Sequence, residues 1–430
     1  MNASVNSSSA AGEKRTNPWF FIPSLYFAEG VPYVIVNTVS VIFYKNMGVD
    51  NATIAFATSW LYLFWTLKMF WSLLVETHSS KRNWIIYTEL AMTACFGLLG
   101  LVLHLPSFFL VTLLVFFVAA FISATHDIAA DGFYLIALSK EDQAGFVGIR
   151  STFYRFAMIF GQGFIVWLAG FLAAKNSDIP LSWSISFLVA TAIFGLIFIL
   201  NKFVLPKPVD DLPRKPEKNA FGEGFVSFFK QPKIGIILAF IFLYRFGEGF
   251  LIKMNTPFFL DKPELGGLGL TTAEVGIVYG TFGVLSLLTG GIIGGNIIKK
   301  YGLKKCIWPM IIIINIPMYV YILMSIFRPN VYIAACLISF EQFSYGFGFT
   351  AYMVYLMYVS SKSSYKTTYY AIATSLMALG MMVPGLVAGY LQKFLGYQNF
   401  FIMTAILGIP GLITIFFIPY EEDNEKKVKE

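Results

Sequence analysis

The chain has 430 residues, of which 57% are hydrophobic, 18% aromatic and only 13% charged, with a formal net charge of +7. A soluble globular chain carries about 25% charged residues, and here the deficit runs along the whole length, which excludes an ordinary soluble protein. The positive balance does not point to nucleic acid, because the basic residues gather at the ends of apolar stretches, as the positive-inside rule requires.

The Ser/Asn-rich start, Met1 to Thr16, has no apolar core. It reads as a disordered tail, with no cleavable signal peptide. Apolar stretches long enough to cross a bilayer then follow at 19–45, 52–75, 83–104, 107–138, 143–174 and 181–204. A polar stretch from Pro206 to Lys230 holds Asp210, Asp211, Pro213, Arg214, Lys215, Pro216, Glu217 and Lys218. It reads as a linker between two bundles. Six more stretches follow at 233–260, 272–298, 303–326, 330–360, 366–395 and 398–419. The expected organisation is a tail (1–17), a six-helix bundle (18–204), a linker (205–231), a second bundle (232–420) and a charged tail (421–430). With the N-terminus in the cytoplasm, that side collects 21 Lys and Arg, against five on the other: Lys45, Lys175, Lys262, Arg328 and Lys393. This asymmetry predicts both chain ends in the cytoplasm. Cys95, Cys306 and Cys336 are far apart without metal or CxxC spacing, so neither a disulfide, a metal nor a cofactor is expected.

The halves repeat. Phe27-Ala28-Glu29-Gly30 matches Phe246-Gly247-Glu248-Gly249 at an offset of 219 residues, which Gly161 and Gly380 share, as do Ala169-Gly170 and Ala388-Gly389. Parallel six-helix repeats enclose a site near the midplane between them. Between the eighth and ninth stretches, Gly295-x-x-x-Lys299-Lys300-x-Gly302-x-Lys304-Lys305 resembles the loop motif of the major-facilitator superfamily. The fold expected is therefore an all-α membrane protein: twelve transmembrane helices in two pseudo-symmetric six-helix bundles of the major-facilitator type.

Ionisable side chains inside a membrane are costly, so each is a functional candidate. Glu29 lies mid-helix beside Gly30 and Pro32, which should loosen the helix there. Glu248 is its counterpart, with Arg245 three residues before it as a local partner. Glu341 sits near the middle of the tenth stretch, near Gln342 and Ser344. A carboxyl in a poorly hydrated cavity can bind a proton and release it as the cavity opens to either side. Asp127 and Asp131, four apart, share one helix face. An antiparallel hairpin turning near Lys140 and Glu141 sets Asp131 level with Arg150 and Asp127 with Arg155. This predicts either a ladder of ion pairs that scaffolds or gates, or an arginine that binds an anionic substrate group while an aspartate takes a proton. Lys68 and Glu89 lie at similar depth and form a further candidate pair. The tenth stretch is aromatic throughout, and Tyr345 and Tyr352 are its candidates for the cavity wall. His126 reads as a core histidine, although it could titrate near neutral pH.

Ser123-Ala-Thr-His-Asp-Ile-Ala-Ala-Asp131, followed by Tyr154-Arg155-x-x-Met158, resembles signatures of the AmpG-type muropeptide permeases and related acetyl-CoA transporters, a branch of that superfamily. Gly30-Val31-Pro32 and Lys68-Met-Phe-Trp71-Ser-Leu-Leu-Val-Glu76 also resemble that family's first and second helices. Leu73 stands where the family has proline, Glu76 where it has aspartate, Thr77 where a basic residue often follows, and His126 where glutamine is common. The resemblance implies proton-driven import of cell-wall fragments such as N-acetylglucosaminyl-anhydro-N-acetylmuramic acid.

The resulting expectation is a monomeric secondary transporter of the inner membrane, with a sugar or sugar–peptide and protons as partners. Glu29, Asp127, Asp131, Glu248 and Glu341 are the proton-coupling candidates. Arg150, Arg155, Arg245, Lys68, Tyr345 and Tyr352 are candidates for binding or gating. The alternatives are an exchanger of an organic anion such as acetyl-CoA and a non-transporting membrane receptor. An enzyme is not expected, because no nucleophile–base set, metal cluster or phosphate-binding glycine loop is present. Asn51-Ala52-Thr53 has the form of a glycosylation triplet.

Overall fold

The computed structural model describes residues 17–213, 220–362 and 366–420. The two tails and the linker's middle, with Arg214, Lys215, Pro216, Glu217 and Lys218, lie outside the described residues. In lipid every backbone polar group must find its partner within the protein, which leaves helices as the solution for long apolar stretches. Among the described residues there are no strands.

Among the described residues, nine helices are long and apolar enough to cross a membrane by themselves. They supply spans 1 (Pro18–Asn46), 3 (Lys81–Leu101), 4 (Phe108–Ala137), 5 (Gly148–Asn176, continuous with a start at Lys140), 6 (Ile179–Val204), 7 (Ile234–Leu260), 8 (Thr272–Tyr301) and 9 (Leu303–Phe327). The ninth helix, Thr368–Thr414, holds spans 11 and 12, which meet at Gly396 with a left-handed φ of 72°. Span 2 is split by a turn at Leu61–Tyr62 into Asn51–Trp60 and Leu63–His78, each too short to cross alone. Span 10, Val331–Ser361, has the length but carries Glu341, Gln342 and a series of tyrosines. The total is twelve.

Polar residues at the loops start the spans. The side chains of Asp50, Ser80, Ser139, Asp178, Thr271 and Asn330 each accept from a backbone N–H of the first turn. These N–H groups would otherwise lack partners. The start of span 3 also holds the linker, since Asp211 accepts from the backbone of Lys81 at 2.7 Å and of Arg82 at 2.9 Å. Gly302, at φ 79°, makes the turn between spans 8 and 9.

The first and last described residues and the described flanks of the linker lie on one face, here called the chain-end face. At the opposite face the halves are packed into a single apolar core that runs from Val34, Phe43 and Phe187 to Phe258, Tyr321 and Phe401. Near the chain-end face the core divides in two. One part is built on Phe21, Phe133 and Tyr134 of the first half, the other on Phe240, Met310 and Tyr355 of the second. The repeated glycines explain the tight join. A Cβ on Gly170 of span 5 would strike the backbone of Ala273 at the start of span 8. A Cβ on Gly389 of span 11 would likewise strike Asn51 and Ala52 at the start of span 2. Glycine alone permits backbones this close, and the two joins repeat one geometry with the halves exchanged. The molecule is closed at the face away from the chain ends.

Candidate functional site

The spans that face the join are irregular at mid-depth. Wide π-type turns interrupt span 1 at Ile35–Val39, span 5 at Ile159–Ile165 and span 8 at Val278–Gly283. Span 7 breaks at Tyr244–Arg245. Turns of this kind concentrate at functional sites, and irregular backbone at this depth is tolerated where protein or a water-lined cavity surrounds it. The helix of span 1 passes through Gly30 and Pro32 unbroken, and its wide turn comes only after Val34, so the expected loosening lies one turn further along.

Five charged side chains of the first half form one cluster. Lys68 of span 2 is ion-paired with Asp127 of span 4. Arg150 of span 5 donates to Asp131 at 2.9 Å, and its guanidinium lies 4.6 Å from the ring of Tyr26 and 5.2 Å from that of Tyr134. Glu29 is buried within electrostatic reach of Asp127 and Asp131, and its Oε2 has no hydrogen-bond partner among the described residues. The Asp131 and Arg150 side chains are 46% and 33% exposed, so the cluster meets the opening on the chain-end side. Tyr370 of span 11 faces it from the second half.

The signature residues account for this assembly. Lys68 and Trp71, one turn apart on span 2, meet Asp127 and Thr125 on span 4, with Trp71 Nε1 donating to Thr125 Oγ1 at 3.2 Å. Gly30 lets span 5 come close, since a Cβ there would lie 2.7 Å from Ala157 Cβ and 2.9 Å from the Tyr154 carbonyl.

Two expected pairs are not formed. Arg155 does not reach Asp127; its Nη1 donates to Met158 Sδ at 3.2 Å, and no carboxylate pairs with it among the described residues. Arg150 and Arg155 are five residues apart, about 140° around a helix, so they cannot share the face that Asp127 and Asp131 share. Nor does Lys68 meet Glu89. Glu89 is fully buried against span 6, where Asn201 Nδ2 donates to its Oε1 at 2.6 Å. His126 is also turned toward span 3, with Nδ1 3.0 Å from Thr88 Oγ1.

In the second half, Arg245 holds Glu248 through two bonds, Nε to Oε2 at 2.9 Å and Nη2 to Oε1 at 2.7 Å. Its Nη2 also donates to Tyr345 Oη at 2.8 Å. Tyr33, Tyr62 and Tyr154 of the first half lie within electrostatic reach of Arg155, Arg245 and Tyr345. Two arginines and four tyrosines from both halves thus line one space. Tyr352 is not on its wall. It is fully buried, stacked on Tyr244, with its hydroxyl donating to the Ile241 carbonyl at 3.0 Å. Tyr345 and Tyr352 share the stripe that faces span 7; span 7 covers Tyr352, while its break at Arg245 leaves Tyr345 partly exposed. Glu341 is buried beside Gln342 Nε2 (2.8 Å), Tyr279 and Tyr321, inside the second half.

Sequence reasoning missed a second polar group at the closed face. Lys45 pairs with Asp261 at 2.5 Å and donates to Asn51 Oδ1 at 2.7 Å. Tyr397 donates to Asp261 at 2.6 Å. Asn51 Nδ2 lies within 3.1 Å of Asp261, Gln392 and Tyr397, which occupies the amide of the supposed glycosylation triplet. Asn46 accepts from Trp183 of the first half and Thr272 of the second. Partners some 200 residues apart leave no local pattern to read. Lys253 of span 7, whose ammonium donates to Thr58 Oγ1 across the join at 3.1 Å, was also missed.

This architecture can be set beside known proteins. The family model described as Major Facilitator Superfamily matches residues 24–383, and again 267–430. The anhydromuropeptide permease of Escherichia coli (strain K12) is 26% identical over 399 residues, covering 91% of this chain and 77% of that one. The putative transporter AmpG 4 of Rickettsia conorii is 26% identical over 423 residues, covering 93% and 96%. Among solved structures, the nucleoside transporter NupG superposes with a TM-score of 0.70 at 12% identity, covering 94% of this chain and all of that one. A bacterial homologue of the human lysosomal transporter Spinster, in an inward-facing unoccupied conformation, superposes at 0.66 and 16% identity, covering 94% and 95%. With twelve spans in two packed halves, irregular helices around a shared polar centre and a family match over most of its length, the chain belongs to the Major Facilitator Superfamily.

Proposed function

We propose that the protein is a proton-coupled permease of a bacterial inner membrane that carries anhydromuropeptides or related amino-sugar oligosaccharides into the cytoplasm by alternating access. The excess of Lys and Arg on the chain-end side supports a cytoplasmic position for that face. The molecule is then inward-facing, with its periplasmic end closed. The name carried by the Escherichia coli relative supports the substrate class. So does the chemistry of the centre: tyrosine faces and hydroxyls suit sugar rings, and guanidinium forks suit carboxylates.

One observation carries the proton coupling. Three carboxyl groups, Glu29, Asp127 and Asp131, face two cations, Lys68 and Arg150. Three negative charges against two positive leave one in excess, so one proton balances the cluster, and Glu29, buried with an oxygen that has no hydrogen-bond partner among the described residues, is the carboxyl suited to hold it. Rocking of the halves about the central site changes which side supplies that proton.

The test is uptake of radiolabelled N-acetylglucosaminyl-anhydro-N-acetylmuramic acid into proteoliposomes, with and without an inward proton gradient. Gradient-dependent uptake is expected, with Glu29→Gln abolishing accumulation but retaining exchange. Wild-type pH dependence in Glu29→Gln would remove Glu29 from the role. Inhibition by coenzyme A but not by the sugar would replace the substrate with a nucleotide-bearing anion.

A further inference from the structure

The cations inside the spans are not equally served. Lys68, Arg150 and Arg245 each hold a carboxylate, and so does Lys45 at the closed face. Arg155 and Lys253 hold none among the described residues; Arg155 is partly exposed, whereas Lys253 is only 3% exposed. Its stem lies along Gly385 of span 11, where a Cβ would come within 3.2 Å of Lys253 Cγ and Cε. Its ammonium has one hydroxyl acceptor, Thr58 Oγ1, and the face of Tyr62 at 4.9 Å. An ammonium has three N–H donors and a full charge. A hydroxyl and a ring cover only part of that need, and a bare cation inside a membrane is costly.

The location suggests what offsets the cost. Lys253 sits where spans 2, 7 and 11 meet, at the floor of the closed face. Tyr62, the ring it touches, belongs to the wall of the central space with Tyr33, Tyr345 and Arg245. Thr58 and Tyr62 are in the first half and Lys253 in the second, so separation of the halves at this face frees the ammonium toward that space.

We propose that Lys253 is a specificity-determining residue that binds a carboxylate of the substrate when the closed face opens. Thr58 and Tyr62 are its resting partners when that face shuts. The proposal deepens the transport reading above and rests on it. The substrate class it selects is an amino-sugar with a free carboxylate, such as the lactyl carboxylate of the anhydro-disaccharide, over its neutral carboxamide.

The experiment compares proteoliposome uptake of the anhydro-disaccharide and its carboxamide by wild type, Lys253→Gln and Lys253→Arg. Loss of one charged hydrogen bond predicts that Lys253→Gln raises KM for the acid by about 10- to 100-fold. KM for the carboxamide stays within about twofold, and Lys253→Arg recovers most of the preference. An equal loss on both substrates would overturn the proposal and leave Lys253 a structural latch. Wild-type uptake of neither substrate would overturn the transport reading and this proposal together. Thermal melting of each purified variant checks folding; should Lys253→Gln fail it, Lys253→Met, which keeps the stem against Gly385, takes its place.

Discussion

The Lys45–Asp261 pair gives a quantitative handle on how the closed face is held. Lys45 lies near the end of span 1 and Asp261 follows span 7, so the pair crosses between halves, and separating them at this face would break it. Its side chains are 16% and 8% exposed, and the contact is 2.5 Å. Lys45→Ala removes its bond to Asn51 within the first half and one charged hydrogen bond between the halves, the latter about 1.5–3 kcal/mol in a partly buried setting. Asp261 keeps Tyr397 and Asn51 as donors, so it is not stranded and the larger cost of an unpaired buried charge does not apply. With the face open, water replaces Lys45 around Asp261, so the loss falls on the closed state alone. The ratio of closed to open molecules should fall by about 10- to 100-fold. Spin labels replacing Leu105 and Leu265, exposed residues of the two halves at this face, report it in a background without Cys95, Cys306 and Cys336. Electron–electron double resonance should show the long-distance population rise in Lys45→Ala. An unchanged distance distribution in Lys45→Ala and in Lys45→Ala with Asp261→Ala would refute the pair as a latch.

Gly170→Leu should leave the fold intact but trap the protein open at this face, because the obstructing atoms are the Ala273 backbone and cannot swing aside; the same label pair measures this, and normal closure would contradict the contact. Tyr345→Phe should raise KM for uptake several-fold by removing the Arg245 partner, whereas Tyr352→Phe should leave KM unchanged and lower stability by about 0.5–1.5 kcal/mol through the lost Ile241 bond; uptake kinetics and thermal melting separate the two. Glu89→Gln should be nearly neutral for stability, since a side-chain oxygen still accepts from Asn201, while Glu89→Leu should cost about 1–3 kcal/mol by orphaning that donor; equal melting temperatures for the two variants would contradict this.

Depth along the membrane was legible in the sequence; rotation about each helix was less so. Apolar length and polar caps place the ends of most spans within a few residues, because a bilayer imposes both. The hairpin register correctly set Asp131 against Arg150. That register failed for Arg155, and similar depth failed to pair Lys68 with Glu89, because azimuth did not match: Arg155 is turned from Arg150's face by five residues of helix, and Glu89 looks toward span 6. The recognisable motifs were informative because their residues touch one another, as Lys68 and Trp71 touch Asp127 and Thr125. Lys253 carried no such signal, since its neighbours Thr58 and Tyr62 are ordinary residues of a distant helix.

The internal repeat also shows where the halves part company. Glu29 and Glu248 occupy equivalent positions, but the residue three before each differs, Tyr26 in the first half and Arg245 in the second. That one difference decides the chemistry around each acid. Arg245 claims both oxygens of Glu248 within a single turn. Tyr26 offers Glu29 no charge; its ring instead lies against Arg150, which is bound to Asp131. The positions equivalent to Asp127 and Asp131 are Gly346 and Thr350, so the second half has no acid pair on span 10. Carboxyls in excess of their paired cations therefore cluster in the first half, whereas Glu341 of the second stands apart beside Gln342, and on the function proposed above it is in the first-half cluster that a proton is exchanged. The second half contributes a neutralised arginine, tyrosines and Lys253, which holds no carboxylate among the described residues, a set suited to holding an anion. On the proposed function, a scaffold duplicated almost symmetrically thus divides ion and substrate between its halves, and their rocking would oblige the two to move together.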